Sequence, residues 1–168
     1  MKTFRILGML LIVVFLAALC LQAQNKNVGV KICKMCHQTE KQGKQFGIWE
    51  KTPHAEAFKT LASEKAMEVA KKKNIAKPQE AKECLDCHSP IDKDGVSCEN
   101  CHGAGSAYKT MAIMKDKAKA IAAGLTDFKD KAAIEKFCKT CHNEKSPTFK
   151  GFKFDEMWGK IKHSVPKA

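Results

Sequence analysis

The chain has 168 residues, nine cysteines, six histidines, and 30 basic against 18 acidic residues, a formal net charge of +12. That length favours one domain once any targeting segment is set aside. Arg5 is the one arginine beside 29 lysines. Nucleic-acid readers lean on arginine for bidentate contacts, so this coat argues against nucleic acid and for diffuse attraction of an acidic protein partner.

Residues 1–23 read as an export signal. Lys2 and Arg5 give a positive start, residues 6–19 are apolar and uncharged, and Ala23 precedes a mature start at Gln24. Residues 24–168 then work outside the cytoplasm, in the periplasm. Left uncleaved, the segment would be a membrane anchor at the short edge of a span. Cys33-Lys34-Met35-Cys36-His37 is the first of four like motifs. A helix is expected over 53–61, with Thr52 as its cap, Pro53 at its first position and His54 in its first turn. A second helix is expected over 63–72, and 74–82, with Pro78, is a linker. Cys84-Leu85-Asp86-Cys87-His88 and Cys98-Glu99-Asn100-Cys101-His102 follow, 14 residues apart. Further helices are expected over 111–123, ending at Gly124, and over 130–140. The last motif, Cys138-Lys139-Thr140-Cys141-His142, follows directly. After a linker over 143–151, a helix over 155–162, capped by Asp155, sets Phe154, Trp158 and Ile161 on one face and ends at His163. No strand pattern is convincing, so the fold class is mainly α with few or no strands and long loops.

The chemistry sits in the four motifs. C-x-x-C-H is the signature of covalent haem attachment. Two thiols three positions apart reach two vinyl groups on one porphyrin edge, and the next histidine falls beneath the ring onto iron. Zinc ribbons use C-x-x-C without needing that histidine, and a disulfide scaffold explains none of the four. With six histidines in 168 residues, four chance placements have a probability of roughly one in a million. The expectation is four c-type haems, bound through Cys33, Cys36, Cys84, Cys87, Cys98, Cys101, Cys138 and Cys141. His37, His88, His102 and His142 are their proximal iron ligands.

Four haems have eight axial positions, and His54 and His163 are the histidines left over. At most two irons can be bis-histidine within one chain. The others take methionine, another ligand, a neighbouring chain's side chain, or nothing. Met67, Met111, Met114 and Met157 are the methionine candidates; Met35, inside a motif, is a poor one.

Several stretches resemble the tetrahaem cytochrome c-554 family. They are the first motif with Trp49 and His54-Ala55, the second motif, Gly95-Val96-Ser97 running through the third motif to Gly103-Ala104-Gly105, and Phe152-Lys153-Phe154-Asp155-Glu156-Met157 leading to His163. The resemblance implies a haem-packed multihaem cytochrome fold, stacked haem pairs and a periplasmic carrier role. His54 and His163 match positions of distal ligands. The family also has a distal histidine shortly after its third motif. Here that region reads Tyr108-Lys109-Thr110-Met111-Ala112-Ile113-Met114, so Met111, or less readily Met114, is expected in its place; both equally suit an apolar helix face. The family's open haem would correspond to the one on His88.

The leading expectation is an electron shuttle between redox proteins with acidic docking surfaces. A reductase of nitric oxide or a related nitrogen oxide at an open haem is the alternative, and a subunit of a cytochrome filament, an oligomer with shared ligands, is a third. Signal cleavage leaves a charge of about +10, and roughly eight propionates offset much of it. So short a chain around four porphyrins has little room for its own apolar core. The haem-free protein is therefore predicted to be largely unfolded; a native-like circular dichroism spectrum without haem would contradict this.

Overall fold

A computed structural model describes residues 24–163. The expected export signal or anchor at 1–23 lies outside the described residues. Ten α-helices follow in chain order: α1 Val30–His37, α2 Gln45–Trp49, α3 Ala57–Thr60, α4 Glu64–Lys72, α5 Lys82–His88, α6 Cys98–His102, α7 Met111–Met114, α8 Lys117–Ala122, α9 Lys131–Cys138 and α10 Phe154–Ile161. Among the described residues there is no strand, and no helix is long and apolar enough to cross a membrane. The fold is mainly α, as expected.

Small polar residues start several helices by satisfying amide donors that the first turn leaves free. Ser63 accepts from Ala66 N–H (3.2 Å), Asp116 from Lys119 N–H (3.1 Å) and Asp130 from Ala133 N–H (2.8 Å). Ser97 and Asn100 form a reciprocal capping box at α6.

The expected helices differ from the observed ones at three places. The 53–61 helix shortens to α3, and His54 sits in the turns before it. Thr52 does not cap it: its hydroxyl donates back to Trp49 O (2.8 Å), and its carbonyl accepts from Ala55 N–H (3.1 Å). The 111–123 helix breaks into α7 and α8 because Asp116 prefers to cap a new helix. Asp155 lies in the first turn of α10 rather than at its cap, and its carboxylate pairs with Lys131. Three motifs also lie inside helices of their own, α1, α5 and α6, which apolar periodicity did not reveal.

The packing of side chains on each other is thin. Among the described residues the buried apolar side chains are Val30, Leu61, Ala70, Tyr108, Ala120 and Phe154. Helix α1 packs on α2 and α6, α3 on α5, and α7 on α8. Segments distant in sequence are tied by single hydrogen bonds. Trp49 Nε1–H donates to Val96 O (2.9 Å), and Val96 N–H donates to His54 O (2.9 Å).

That second bond depends on Gly95. Its φ is +78°, and a Cβ there would lie 2.3 Å from His54 O. Gly95→Ala should therefore lower the unfolding midpoint of the holoprotein, by roughly 1–3 kcal/mol from backbone strain and more from the clash. An unchanged midpoint in denaturant would contradict this role.

Candidate cofactor site

Each motif presents its two thiols and its imidazole from about one helical turn, since positions i, i+3 and i+4 share a helix face. The first motif ends α1, the second ends α5 and the third fills α6. In the fourth, α9 ends at Cys138, but His142 N–H still bonds Cys138 O (3.0 Å), so the turn continues. The eight described cysteines form no disulfide. Among the described residues, no three or more His, Cys, Asp or Glu side chains gather to hold a bare metal ion.

The motifs come together in a definite pattern. Cys33 and Cys98 share a hydrogen bond in which Cys98 is held protonated, which joins the first and third motifs. The thiol of Cys87 is pushed up to about 11 by burial and by a hydrogen bond with Cys141, joining the second and fourth. Burial, with Cys138 and Cys141 behind it, raises Cys101 to about 11 and links the third motif to the fourth. Burial also raises Cys84 and Cys138. Uncharged thiols are small apolar groups, able to pack beside a porphyrin edge.

The imidazoles pair within the chain. His54 and His142 have ring centroids 6.0 Å apart, and His102 and His163 have theirs 5.8 Å apart. Metal–nitrogen bonds of about 2.0–2.1 Å on either side of one ion put two imidazole centroids roughly 6 Å apart. Both pairs, each joining a motif histidine to one outside the motifs, therefore fit a single iron between them.

Three of the four paired imidazoles are pushed towards the neutral, ligating form. Burial, with His163 and His37 nearby, pushes His102 down to about 4. Burial first and His142 second lower His54, and desolvation lowers His142. Phe152 stacks on the His142 ring at 4.7 Å.

The other two motif histidines are oriented through Nδ1. His88 Nδ1–H donates to Ala57 O (3.0 Å), and His37 Nδ1–H faces Gln45 Oε1 (3.3 Å). Gln45 is itself held by a bond from its Nε2–H to Gln42 O. A ring that donates through Nδ1 leaves Nε2 free for a metal. Sequence reading missed Gln45 and Ala57, because a backbone carbonyl carries no signature and Gln45 lies outside any motif; it named Phe152 only within a resembling stretch, not as a partner of His142.

The methionines are spread out. Met111 opens α7 and is 59% exposed, while Met67 and Met157 are exposed on α4 and α10. A cleft of about 550 Å³ is lined by Thr52, Pro53, Gly47, Ile48 and three lysines, Lys44, Lys51 and Lys160.

Residues 32–103 match the family described as "Cytochrome c554 and c-prime". Cytochrome c-554 of Nitrosomonas europaea is 27% identical over 175 residues, covering 80% of this chain and 72% of that protein. No solved structure matched the chain.

Proposed function

We propose that this chain, similar to the cytochrome c-554 family over residues 32–103 and to a curated member at 27% identity, is a c-type cytochrome of that kind, a periplasmic electron carrier with four haems. One haem is attached at each C-x-x-C-H motif, on Cys33 and Cys36, Cys84 and Cys87, Cys98 and Cys101, and Cys138 and Cys141. His37, His88, His102 and His142 are the proximal ligands. Haem iron supplies a one-electron couple, and the protein sets its ligands, its surroundings and its neighbours.

The observation that carries this reading is the pairing of imidazoles. It supports His54 as the distal ligand of the haem on His142, and His163 as that of the haem on His102. Ligands drawn from the same chain speak for an internal set rather than one shared along a filament. The family resemblance puts the open haem on His88, so Met111, although 59% exposed on α7, is the ligand we assign to the iron on His37.

The thiol contacts support an order of travel. The first and third motifs share a thiol hydrogen bond, as do the second and fourth, and the third lies within electrostatic reach of the fourth. Electrons would pass along the haems of motifs one, three, four and two. The lysine coat supports docking on acidic redox proteins.

The histidine count favours one further reading. The iron on His88 has neither an imidazole nor an assigned methionine, which leaves a position for a small neutral ligand such as nitric oxide. The nitrogen-oxide reductase reading rests on that site. Reduced protein that fails to bind carbon monoxide would remove it.

The main reading is tested on the oxidised holoprotein by electron paramagnetic resonance. His54→Ala should convert one low-spin signal to high spin, and His163→Ala should convert a different one. If both variants keep every wild-type signal, the ligand pairing is wrong. Electron exchange with an acidic redox protein should slow as ionic strength rises; a rate indifferent to salt would dismiss lysine steering.

A further inference from the structure

Glu99 occupies a variable position of the third motif, where thioether spacing asks nothing of the side chain. It is nevertheless only 4% exposed. Its carboxylate accepts from Val28 N–H (2.9 Å to each oxygen), from Gly29 N–H (2.8 Å) and from Gly105 N–H (2.7 Å). Gly105 is buried, and a Cβ there would lie 3.1 Å from Glu99 Oε1. The cradle is thus built to the shape of this side chain.

Every contact is a backbone donor, and an ionised carboxylate is an acceptor-only group. Among the described residues no lysine forms an ion pair with Glu99, although lysines abound on the surface. Amide dipoles solvate the charge without cancelling it, and in a place shielded from water its field reaches its neighbours weakly screened.

Those neighbours belong to two motifs. Glu99 adjoins Cys98 in the chain, and Gly29, whose N–H it holds, accepts from Cys33 Sγ (3.6 Å). The Glu99 charge opposes ionisation of both thiols, behind their shared hydrogen bond and burial and, for Cys98, behind Cys33 itself. Behind burial, it is also the next cause raising the phenol of Tyr108. The hydroxyl of Tyr108 donates to the carbonyls of His102 (3.1 Å) and Gly103 (2.6 Å).

We propose that Glu99 is a potential-setting residue, a buried fixed charge that lowers the reduction potentials of the haems on the first and third motifs relative to those on the second and fourth. Reduction adds an electron beside a negative charge, so the ferric form is favoured where Glu99 is near. Electrons then run from the first pair towards the second. The proposal rests on the four-haem reading above.

Glu99 also ties down residues 25–29, and that tie must be separated from its charge. The same segment is held by Asn25 Nδ2–H to Ala123 O (2.7 Å), by Lys26 N–H to Ser106 Oγ (2.8 Å) and by Ser106 N–H to Lys26 O (3.1 Å). A loosened segment would let water reach the first and third motifs, which favours the ferric form. The two roles therefore predict opposite signs.

The experiment is a redox titration of holoprotein followed by electron paramagnetic resonance, with the His102 haem identified by the signal lost in His163→Ala. Glu99→Gln should raise two of the four potentials, the His102 haem among them. At a fixed applied potential their Fe(II)/Fe(III) ratio should grow roughly tenfold, or ~59 mV for a one-electron couple. Glu99→Asp, which keeps the charge, should restore most of the difference. Ser106→Ala, which cuts a tie and keeps the charge, should leave the potentials in place or lower them; a rise matching that of Glu99→Gln would overturn the proposal. Unchanged or lowered potentials in Glu99→Gln, or a rise spread evenly over four haems, would overturn the proposal. If neither Glu99→Gln nor Glu99→Met assembles while Glu99→Asp does, the charge serves folding and the proposal also falls. Wild-type protein with fewer than four haems would defeat the underlying reading instead.

Discussion

Everything in this molecule follows from a constraint of one helical turn. Two thiols at i and i+3 and an imidazole at i+4 must face the same way if one flat ring is to meet all three. On the four-haem reading this accounts for α1, α5 and α6 ending on their motif histidines, and for the backbone continuing to turn from Cys138 to His142 after α9 ends. The helices need only be long enough to present the triplet. Caps such as Asp130 and the Ser97–Asn100 box then start the chain turning where each triplet requires it.

A fold organised this way has an unusual interior. The polypeptide contributes few wholly buried apolar side chains, and distant segments meet through single polar bonds and close backbone contacts. Gly95 against His54 O shows the precision involved, since one methyl group would not fit. Such ties give little stability alone, at about 0.5–1.5 kcal/mol per hydrogen bond. They instead hold imidazoles in place, as Val96 does through the carbonyl of His54. The thiols that bond or sense one another arrange the motifs in the order one, three, four, two, although the chain runs one, two, three, four. Long connections allow that crossing.

Much of this was legible in the sequence, and the exceptions have physical reasons. The motifs, the helical class, the helix after Ser63 and the shared face of Phe154 and Trp158 could be read directly, and those two rings stack at 6.3 Å. The helix over 53–61 was overcalled because Thr52-Pro53 has the local look of a cap, whereas Thr52 is buried and bonded backwards. The motif helices were undercalled because haem attachment, not apolar periodicity, shapes their sequence. The partners of His54 and His163 could not be assigned, since pairing across 88 and 61 residues of chain is a property of the fold. Glu99 escaped notice because a variable position in a motif gives no sign of being buried.

The central claim is that eight paired thiols hold four porphyrins with a motif histidine on each iron. The most direct test is the mass of the intact, purified protein together with its haem iron content. The account predicts a polypeptide heavier by four covalent haems, with four irons per chain that survive denaturation and extraction. A mass equal to the amino acids alone, or zinc in place of iron, would contradict it.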